Sequence, residues 1–343
     1  MLPKHYKKLI ASEPSRDLRK VARVVEAELH EPGPGQIVVR NLYAGVNASD
    51  LNIAAGVYEA FKQAGTGAPE LELGGETSSE VVAVGPGVTH LKSGQHVLTL
   101  VVGGGFREYL TLQADKAIPI PQATPALTAL MVNGLTASIG LKHVGELKPG
   151  ETVLITAAAG GVGHLAVQLA KMAGAHVIGV CGTDEKVRFL EGLGCDRVIN
   201  YRTQRLEEVL KREYPRGINL IFEMVGGELF DTLVPHLAEF GRLVVCGYIS
   251  EYRHDKADKV LQPRIYEALL WKSASVRGFI YFRYESLLAP HLTELVGLVL
   301  SGKLKVVVDP QRFVGVESCV DAVEHLHSGK NIGKVLVQVA KDL

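Results

Sequence analysis

Residues 151–180, ETVLITAAAGGVGHLAVQLAKMAGAHVIGV, hold an apolar strand, a turn of small residues, an amphipathic helix and a second apolar strand. Strands built of consecutive Val, Ile and Leu and separated by a helix belong to a parallel sheet covered on both faces. Within the turn, Ala158, Gly160 and Gly163 take the spacing of G-x-G-x-x-G with alanine in the first place, and Gly161 and Val162 complete it. At such a turn, side chains would obstruct the approach of a diphosphate to the N–H groups that open the helix. The single methyl of Ala158 is a modest departure, and Gly161 adds backbone freedom. Placement between two strands gives the motif its weight. The reading is a dinucleotide-binding turn, set against the plainer one of a tight strand-to-helix connection.

The alternation continues outward. Downstream, predicted helices at 184–193, 204–213 and 227–239 alternate with the strands RVIN, INLIFEMV and GRLVVCG. Upstream, TPALTALMVNGLTASIGLKHVG (124–145) reads as helical, with Thr124 and Thr136 as candidate caps. From Lys7 to Pro121, short β-type runs broken by Gly and Pro point to an antiparallel, partly barrel-like domain. The polar stretch 249–264 reads as a mobile surface loop or a plain insertion, followed by the strand SVRGFIYF and a helix to about Ser301. The tail, from KVVVDPQRF to GKVLVQVA, returns to the β style of the first domain. The expected architecture is α/β: a β domain of residues 1–123 and 302–343, and a doubly wound domain with a parallel sheet, residues 124–301.

Lys plus Arg and Asp plus Glu balance at 37 each in 343 residues, so no net field recruits nucleic acid or an anionic membrane. No run approaches the ~20 apolar residues of a membrane span, and MLPKHYKKLIAS at the start lacks the apolar core of a signal peptide. Cys181, Cys195, Cys246 and Cys319 form no CxxC pair, as expected in a reducing compartment. A cytoplasmic enzyme acting on a small molecule is the expectation.

The second strand of a dinucleotide site that prefers NAD usually ends in an acid that bonds the ribose 2′-hydroxyl. Here it ends in Cys181, Gly182 and Thr183, which leaves room for a 2′-phosphate, and Lys186 lies one helical turn on as a cation. Asp184 is read as the cap of the following helix. NADPH is predicted over NADH.

GVNASDLN, VNGLTAS, TAAAGGVG, VIGVCGTDEKVRFLEGLGCDRVINY, VGGELFD, GRLVVCGYIS, KSASVRGF and GKNIGKVLV together resemble the medium-chain dehydrogenase/reductase superfamily over essentially the whole chain. Within it, the chain is most similar to the zinc-free branch of quinone oxidoreductases and prostaglandin reductases, of the prostaglandin reductase 3 type. The resemblance implies a GroES-like β domain and a Rossmann dinucleotide-binding domain. In the zinc alcohol dehydrogenases of the superfamily, a cysteine ligand stands where this chain has Asn47, and a histidine where it has Gly75. Neither residue supplies the thiolate or imidazole that Zn²⁺ prefers, so no metal is expected. The resemblance places the 2′-phosphate at Lys186 and Tyr201, and the nicotinamide half at Asn331, Gly247, Tyr248 and the segment from Phe279 to Tyr281. Thr136, in VNGLTAS, joins the same cofactor-binding set.

A metal-free site with a reduced nicotinamide can deliver hydride to the β-carbon of an α,β-unsaturated ketone if donors meet the charge that gathers on the carbonyl oxygen. The candidates are the amide of Asn47, the hydroxyl of Ser49 and the phenol of Tyr58, beside the cofactor's own ribose hydroxyl. The expected activity is NADPH-dependent reduction of lipid-like enones such as 15-keto-prostaglandins. Quinone reduction is the runner-up, and a crystallin-like or AU-rich RNA-binding role the third reading. Dimers common in the branch imply a homodimer through the edge SASVRGFIYF.

Overall fold

The computed structural model describes residues 2–57, 70–253 and 263–343. The apolar run after Glu151 forms the strand Thr152–Ile155, whose Val153, Leu154 and Ile155 are fully buried. It lies inside a six-stranded sheet ordered Arg197–Asn200, His176–Cys181, Thr152–Ile155, Ile218–Glu223, Leu237–Val245, Ser275–Gly278. Every pairing in it is parallel. The chain builds outward on one side of Thr152–Ile155 and then crosses to the other, so the order reverses between that strand and Ile218–Glu223. Ligands of open α/β sheets bind outside the carboxyl ends of the strands at such a reversal.

The helices Gly163–Met172, Asp184–Gly192, Leu206–Glu213 and Glu285–Leu300 follow the predicted pattern closely. Leu206, Val209 and Leu210 bury one face of their helix against Ile178, Val180, Ile199 and Ile221 of the sheet. The predicted helix 227–239 stops at Leu233, gives one 3₁₀ turn at Val234–His236, and becomes strand at Leu237. Pro235 explains the early stop, since it lacks an N–H and its ring crowds the preceding turn. Thr124 caps as expected, its hydroxyl accepting the Leu127 N–H at 3.2 Å. Thr136 does not: it lies buried inside Leu135–Ile139, because helical and π-helical turns succeed one another from Pro125 to Val144 and offer no N-terminus there.

The remaining residues form a second compact unit, up to Val132 together with Val308–Leu343, while Asn133–Val307 form the first. Its hub is the long strand Gln36–Gly45, paired antiparallel with Glu76–Val84, Tyr109–Gln113 and Leu336–Gln338. The tail therefore returns to the β unit as expected, with Leu336 opposite Gly45. It also contains a helix, Cys319–His327, that the strand-like reading of the tail passed over. Of the stretch 249–264, residues 254–262 lie outside the described residues. Among the described residues no helix is long and apolar enough to cross a membrane.

The helix that follows the glycine turn starts against the strand with no room for a side chain. A Cβ on Gly163 would stand 2.4 Å from the Ala157 carbonyl oxygen and 2.6 Å from the Ala158 Cα, both backbone atoms that cannot yield cheaply. Gly163→Ala should lower stability by about 1–3 kcal/mol, the usual cost of overpacking. Gly192→Ala, where a Cβ meets nothing within 4 Å, should be neutral or stabilise by up to ~1 kcal/mol in the same denaturant titration.

Candidate active site

In the Asn133–Val307 unit the glycine turn is shaped by contacts that the motif alone does not reveal. Ala157 takes a left-handed conformation, φ 45°, and its carbonyl accepts the Gly160 N–H at 2.9 Å. Ala158 is fully buried, and a Cβ on Gly179 of the neighbouring strand would lie 3.3 Å from its methyl. The extra carbon at Ala158 is thus accommodated by a glycine opposite. A Cβ on Gly161 would meet the Asn133 side-chain oxygen at 2.9 Å, so Asn133 closes one side of the turn. His164 closes another: its Nδ1 lies 2.8 Å from the Gly160 carbonyl and its Nε2 accepts the Val307 N–H at 3.1 Å. With Nε2 accepting, the ring proton sits on Nδ1 and points at the turn. Val162 precedes the first helical residue, Gly163. Together the backbone from Gly160 to Gly163 forms a turn with no room for side chains, a Cβ at Gly161 meeting Asn133 and one at Gly163 the Ala157–Ala158 backbone.

At the end of the adjacent strand, Thr183 rather than Asp184 is the helix cap, its hydroxyl accepting the Lys186 N–H at 3.3 Å. Asp184 is the first helical residue, and its carboxylate accepts from the Asn200 side chain at 2.8 Å. The acid is held sideways by Asn200, which corrects its expected role while leaving the strand end uncharged. Tyr201 donates its N–H to the Cys181 carbonyl at 3.0 Å and lays its phenol over Gly182, where a Cβ would stand 2.7 Å from the hydroxyl. Gly182, Thr183, Lys186 and Tyr201 are therefore gathered at one strand end, with Tyr201 52% exposed. Burial pushes the Cys181 thiol up, and the charge of nearby Lys186 opposes that rise.

Across the reversal point, Gly247 and Tyr248 follow the strand Leu237–Val245, and Tyr248 stacks edge-on against Tyr252 with centroids 4.7 Å apart. Phe279 donates its N–H to the Val245 carbonyl at 3.0 Å, while its ring and that of Tyr281 are buried. Thr136 is buried in its helix.

The β unit holds a charged cluster in its interior. The ammonium of Lys334, 1% exposed, is bonded to the fully buried Glu76 carboxylate and donates to the Asn47 side-chain oxygen at 2.7 Å. The Asn47 NH₂ group donates to the same Glu76 oxygen at 2.9 Å, and the other Glu76 oxygen accepts the Val132 N–H at 2.9 Å. A Cβ on Gly45 would stand 2.0 Å from Glu76, so this glycine makes the room the carboxylate occupies. Asp50 accepts the Asn47 N–H at 2.8 Å. Both ends of the Asn47 carboxamide are engaged inside the cluster, the oxygen by the Lys334 ammonium and one NH₂ hydrogen by Glu76. Asn331 turns its amide onto the Gly333 carbonyl at 3.0 Å, closing the turn that presents Lys334. Ser49 opens the helix Ser49–Ala54, half-buried, and Tyr58 lies outside the described residues.

This donor set does not fit zinc. The carboxamide of Asn47 offers neither thiolate nor imidazole, and the Glu76 carboxylate already holds a cation. Among the described residues no three His, Cys, Asp or Glu side chains converge to hold a metal. Lys334, Glu76 and Asp50 were missed in the sequence, where the signal was a lone acid in GGETSS and a lone lysine in NIGKVLV, each inside a strand-like run.

Residues 33–122 match the family described as alcohol dehydrogenase GroES-like domain, and residues 161–295 that described as zinc-binding dehydrogenase. The chain is 41% identical over 342 residues to a probable quinone oxidoreductase of Leishmania amazonensis, covering 98% of this chain and 99% of that one. It is 39% identical over 346 residues to prostaglandin reductase-3 of Mus musculus, covering 98% and 90%. Among solved structures, the quinone oxidoreductase of Escherichia coli complexed with NADPH superposes with a TM-score of 0.82 at 28% identity, covering 97% and 99%. CurA of Vibrio vulnificus in complex with NADPH gives 0.83 at 25% identity, covering 98% and 99%. Fold and glycine turn define an oxidoreductase of the class built from a GroES-like and a Rossmann unit. The chain belongs to the medium-chain dehydrogenase/reductase family, in its branch of quinone oxidoreductases and prostaglandin reductases.

The carboxyl of Asp50 is pushed up to about 7, first by burial and then by the charge of Glu76, against the pull of the Asn47 N–H and Lys334. An acid whose pKa rises on folding contributes its stability below the unfolded value, near 4, and loses it as the pH climbs through the folded one. Asp50→Asn keeps an oxygen for the Asn47 N–H and cannot ionise. Denaturant titrations should show this variant gaining on the wild type between pH 5 and pH 8; an unchanged difference would remove Asp50 from the titrating groups.

Proposed function

We propose that this protein is an NADPH-dependent reductase of the carbon–carbon double bond of α,β-unsaturated ketones, lipid-like ones such as 15-keto-prostaglandins among them, working without zinc. The observation that carries the proposal is the pairing of a glycine cradle with an uncharged strand end where Lys186 and Tyr201 meet Gly182. Relatives named prostaglandin reductase-3 and, in Nicotiana tabacum, NADP⁺-dependent 2-alkenal reductase support it. The unit Asn133–Val307 is the dinucleotide-binding half, and the β unit is the catalytic and substrate half.

Backbone N–H groups from Gly160 to Gly163, with Ala158 beneath them, would hold the diphosphate. Gly182, Thr183, Lys186 and Tyr201 would hold the 2′-phosphate, and Gly247, Tyr248, Phe279, Tyr281, Thr136 and Asn331 the nicotinamide half. NADPH, when bound, supplies hydride. The chain supplies orientation and donors for the substrate carbonyl, for which Asn47, Ser49 and Tyr58 are the candidates, while Lys334 holds Asn47 and Glu76 in place of a metal.

Quinone reduction is the second reading, favoured by the name of the Leishmania amazonensis relative. A homodimer is part of the proposal. Among the described residues the strand Ser275–Gly278 has a neighbour on one side only, and Phe240, Leu270 and Trp271 are exposed, Trp271 by 78%. A second copy of the same edge would cover both the open strand and these side chains. A cytoplasmic location accords with the four free cysteines.

Purified protein should oxidise NADPH in the presence of a 15-keto-prostaglandin, with kcat/KM above that for an ortho-quinone. A large preference for the quinone would install the second reading, and no oxidation with either would overturn both. Lys186→Ala should lower kcat/KM for NADPH by about 10- to 100-fold, the worth of a charged hydrogen bond, and leave the NADH value unchanged. An equal fall with both cofactors would reject the 2′-phosphate site.

A further inference from the structure

Glu223 ends the strand Ile218–Glu223 on the far side of the reversal point from the strand that ends at Gly182. It is fully buried, yet among the described residues no cationic side chain forms an ion pair with it. Its carboxylate is instead ringed by donors: the Val225 N–H at 2.8 Å, the Gly226 N–H at 3.0 and 3.1 Å to its two oxygens, and the Thr156 hydroxyl at 3.3 Å. The Thr156 oxygen in turn accepts the Met224 N–H at 2.8 Å. Burial pushes the Glu223 carboxyl up, and the Val225 and Gly226 N–H groups, then the Thr156 hydroxyl, oppose that rise; four donor contacts with no acceptor facing it suit the ionised form. Thr156 is the residue from which the glycine turn begins, so this charge sits directly beneath the dinucleotide cradle.

The same contacts fix a second segment. Once the turn Met224–Gly226 is set by the carboxylate, the Met224 and Val225 carbonyls accept the Ile249 and Ser250 N–H groups at 3.3 and 3.0 Å. Gly226 then packs so closely on Tyr248 that a Cβ would stand 2.7 Å from the Tyr248 Cβ. One carboxylate thereby orients Tyr248 and the loop that follows Gly247.

Strand order tells which half of the dinucleotide this charge faces. Lys186 and Tyr201 claim the 2′-phosphate at the His176–Cys181 side of Thr152–Ile155, so the opposite half of the molecule lies toward Ile218–Glu223. The nicotinamide ring of that half is neutral when reduced and carries one positive charge when oxidised. With the NADPH reading above as its basis, we propose that Glu223 is a positioning residue whose uncompensated buried charge favours the oxidised cofactor over the reduced one, and so draws the site toward the charge the ring acquires in turnover.

The test measures Kd for NADP⁺ and for NADPH separately, at pH 8, with the wild type, Glu223→Gln and Glu223→Asp. Glu223→Gln should weaken NADP⁺ about tenfold more than NADPH, the effect of one charge at a partly screened separation. Glu223→Asp, which keeps the charge, should restore the wild-type ratio of the two constants even where both are weakened by the shorter reach. Equal weakening of both cofactors by Glu223→Gln, or a ratio in Glu223→Asp that matches Glu223→Gln, would reduce Glu223 to a structural residue and overturn the proposal. A wild type that binds NADPH but shows these results leaves the cofactor reading intact; a wild type that binds neither cofactor overturns both.

Discussion

A single buried ammonium ties together stretches of the β unit that are far apart in sequence. Lys334 reaches Glu76 across 258 positions and Asn47 across 287. Through these it fixes the start of the helix at Ser49, the end of the hub strand at Gly45, and the Val132 N–H where the unit ends. Desolvating two charges offsets most of their attraction, so the pair adds little net stability, but removing one partner strands the other at a cost of about 3–5 kcal/mol. The fold of this unit therefore depends on the pair being complete. The return of the tail to the hub strand is the backbone counterpart of that requirement, since it is the tail that carries Lys334 inward.

The same ammonium bears on the chemistry. Zinc-using members of the superfamily polarise a substrate oxygen with a divalent ion held by deprotonated ligands. Here the remaining acid is satisfied by a monovalent cation that the chain carries itself, and the amide beside it is satisfied too. The unit Asn133–Val307 solves a different problem with neutral means: it places backbone N–H groups, rather than cationic side chains, around the glycine turn. Close backbone approach at Gly163, the alanine–glycine exchange between Ala158 and Gly179, and the neutral His164 brace all serve that end.

Much of this was legible in the sequence because it is local. The strand, turn, helix and strand of 151–180 declare a parallel sheet through periodicity alone, and the uncharged end at Gly182 follows from three adjacent residues. Local signals also misled where two neighbours compete for one role. Thr183 and Asp184 both suit a helix cap, and only the Asn200 side chain, sixteen positions away, decides between them. Pro235 marked the end of a helix that apolar spacing alone would have extended. The charged cluster was illegible for a different reason: an acid and a lysine inside strand-like runs look like errors of pattern until the fold brings them into contact. Tyr58, one of the candidate donors, falls outside the described residues.

The central claim is that Lys334, and not a metal, supplies the positive charge beside Asn47 and Glu76. The most direct measurement is the rate of NADPH oxidation by an enone before and after exhaustive treatment with 1,10-phenanthroline, with the zinc content of the same samples determined by mass spectrometry. The account predicts an unchanged rate and no stoichiometric zinc in either sample. A rate lost on chelation and restored by added Zn²⁺ would contradict it.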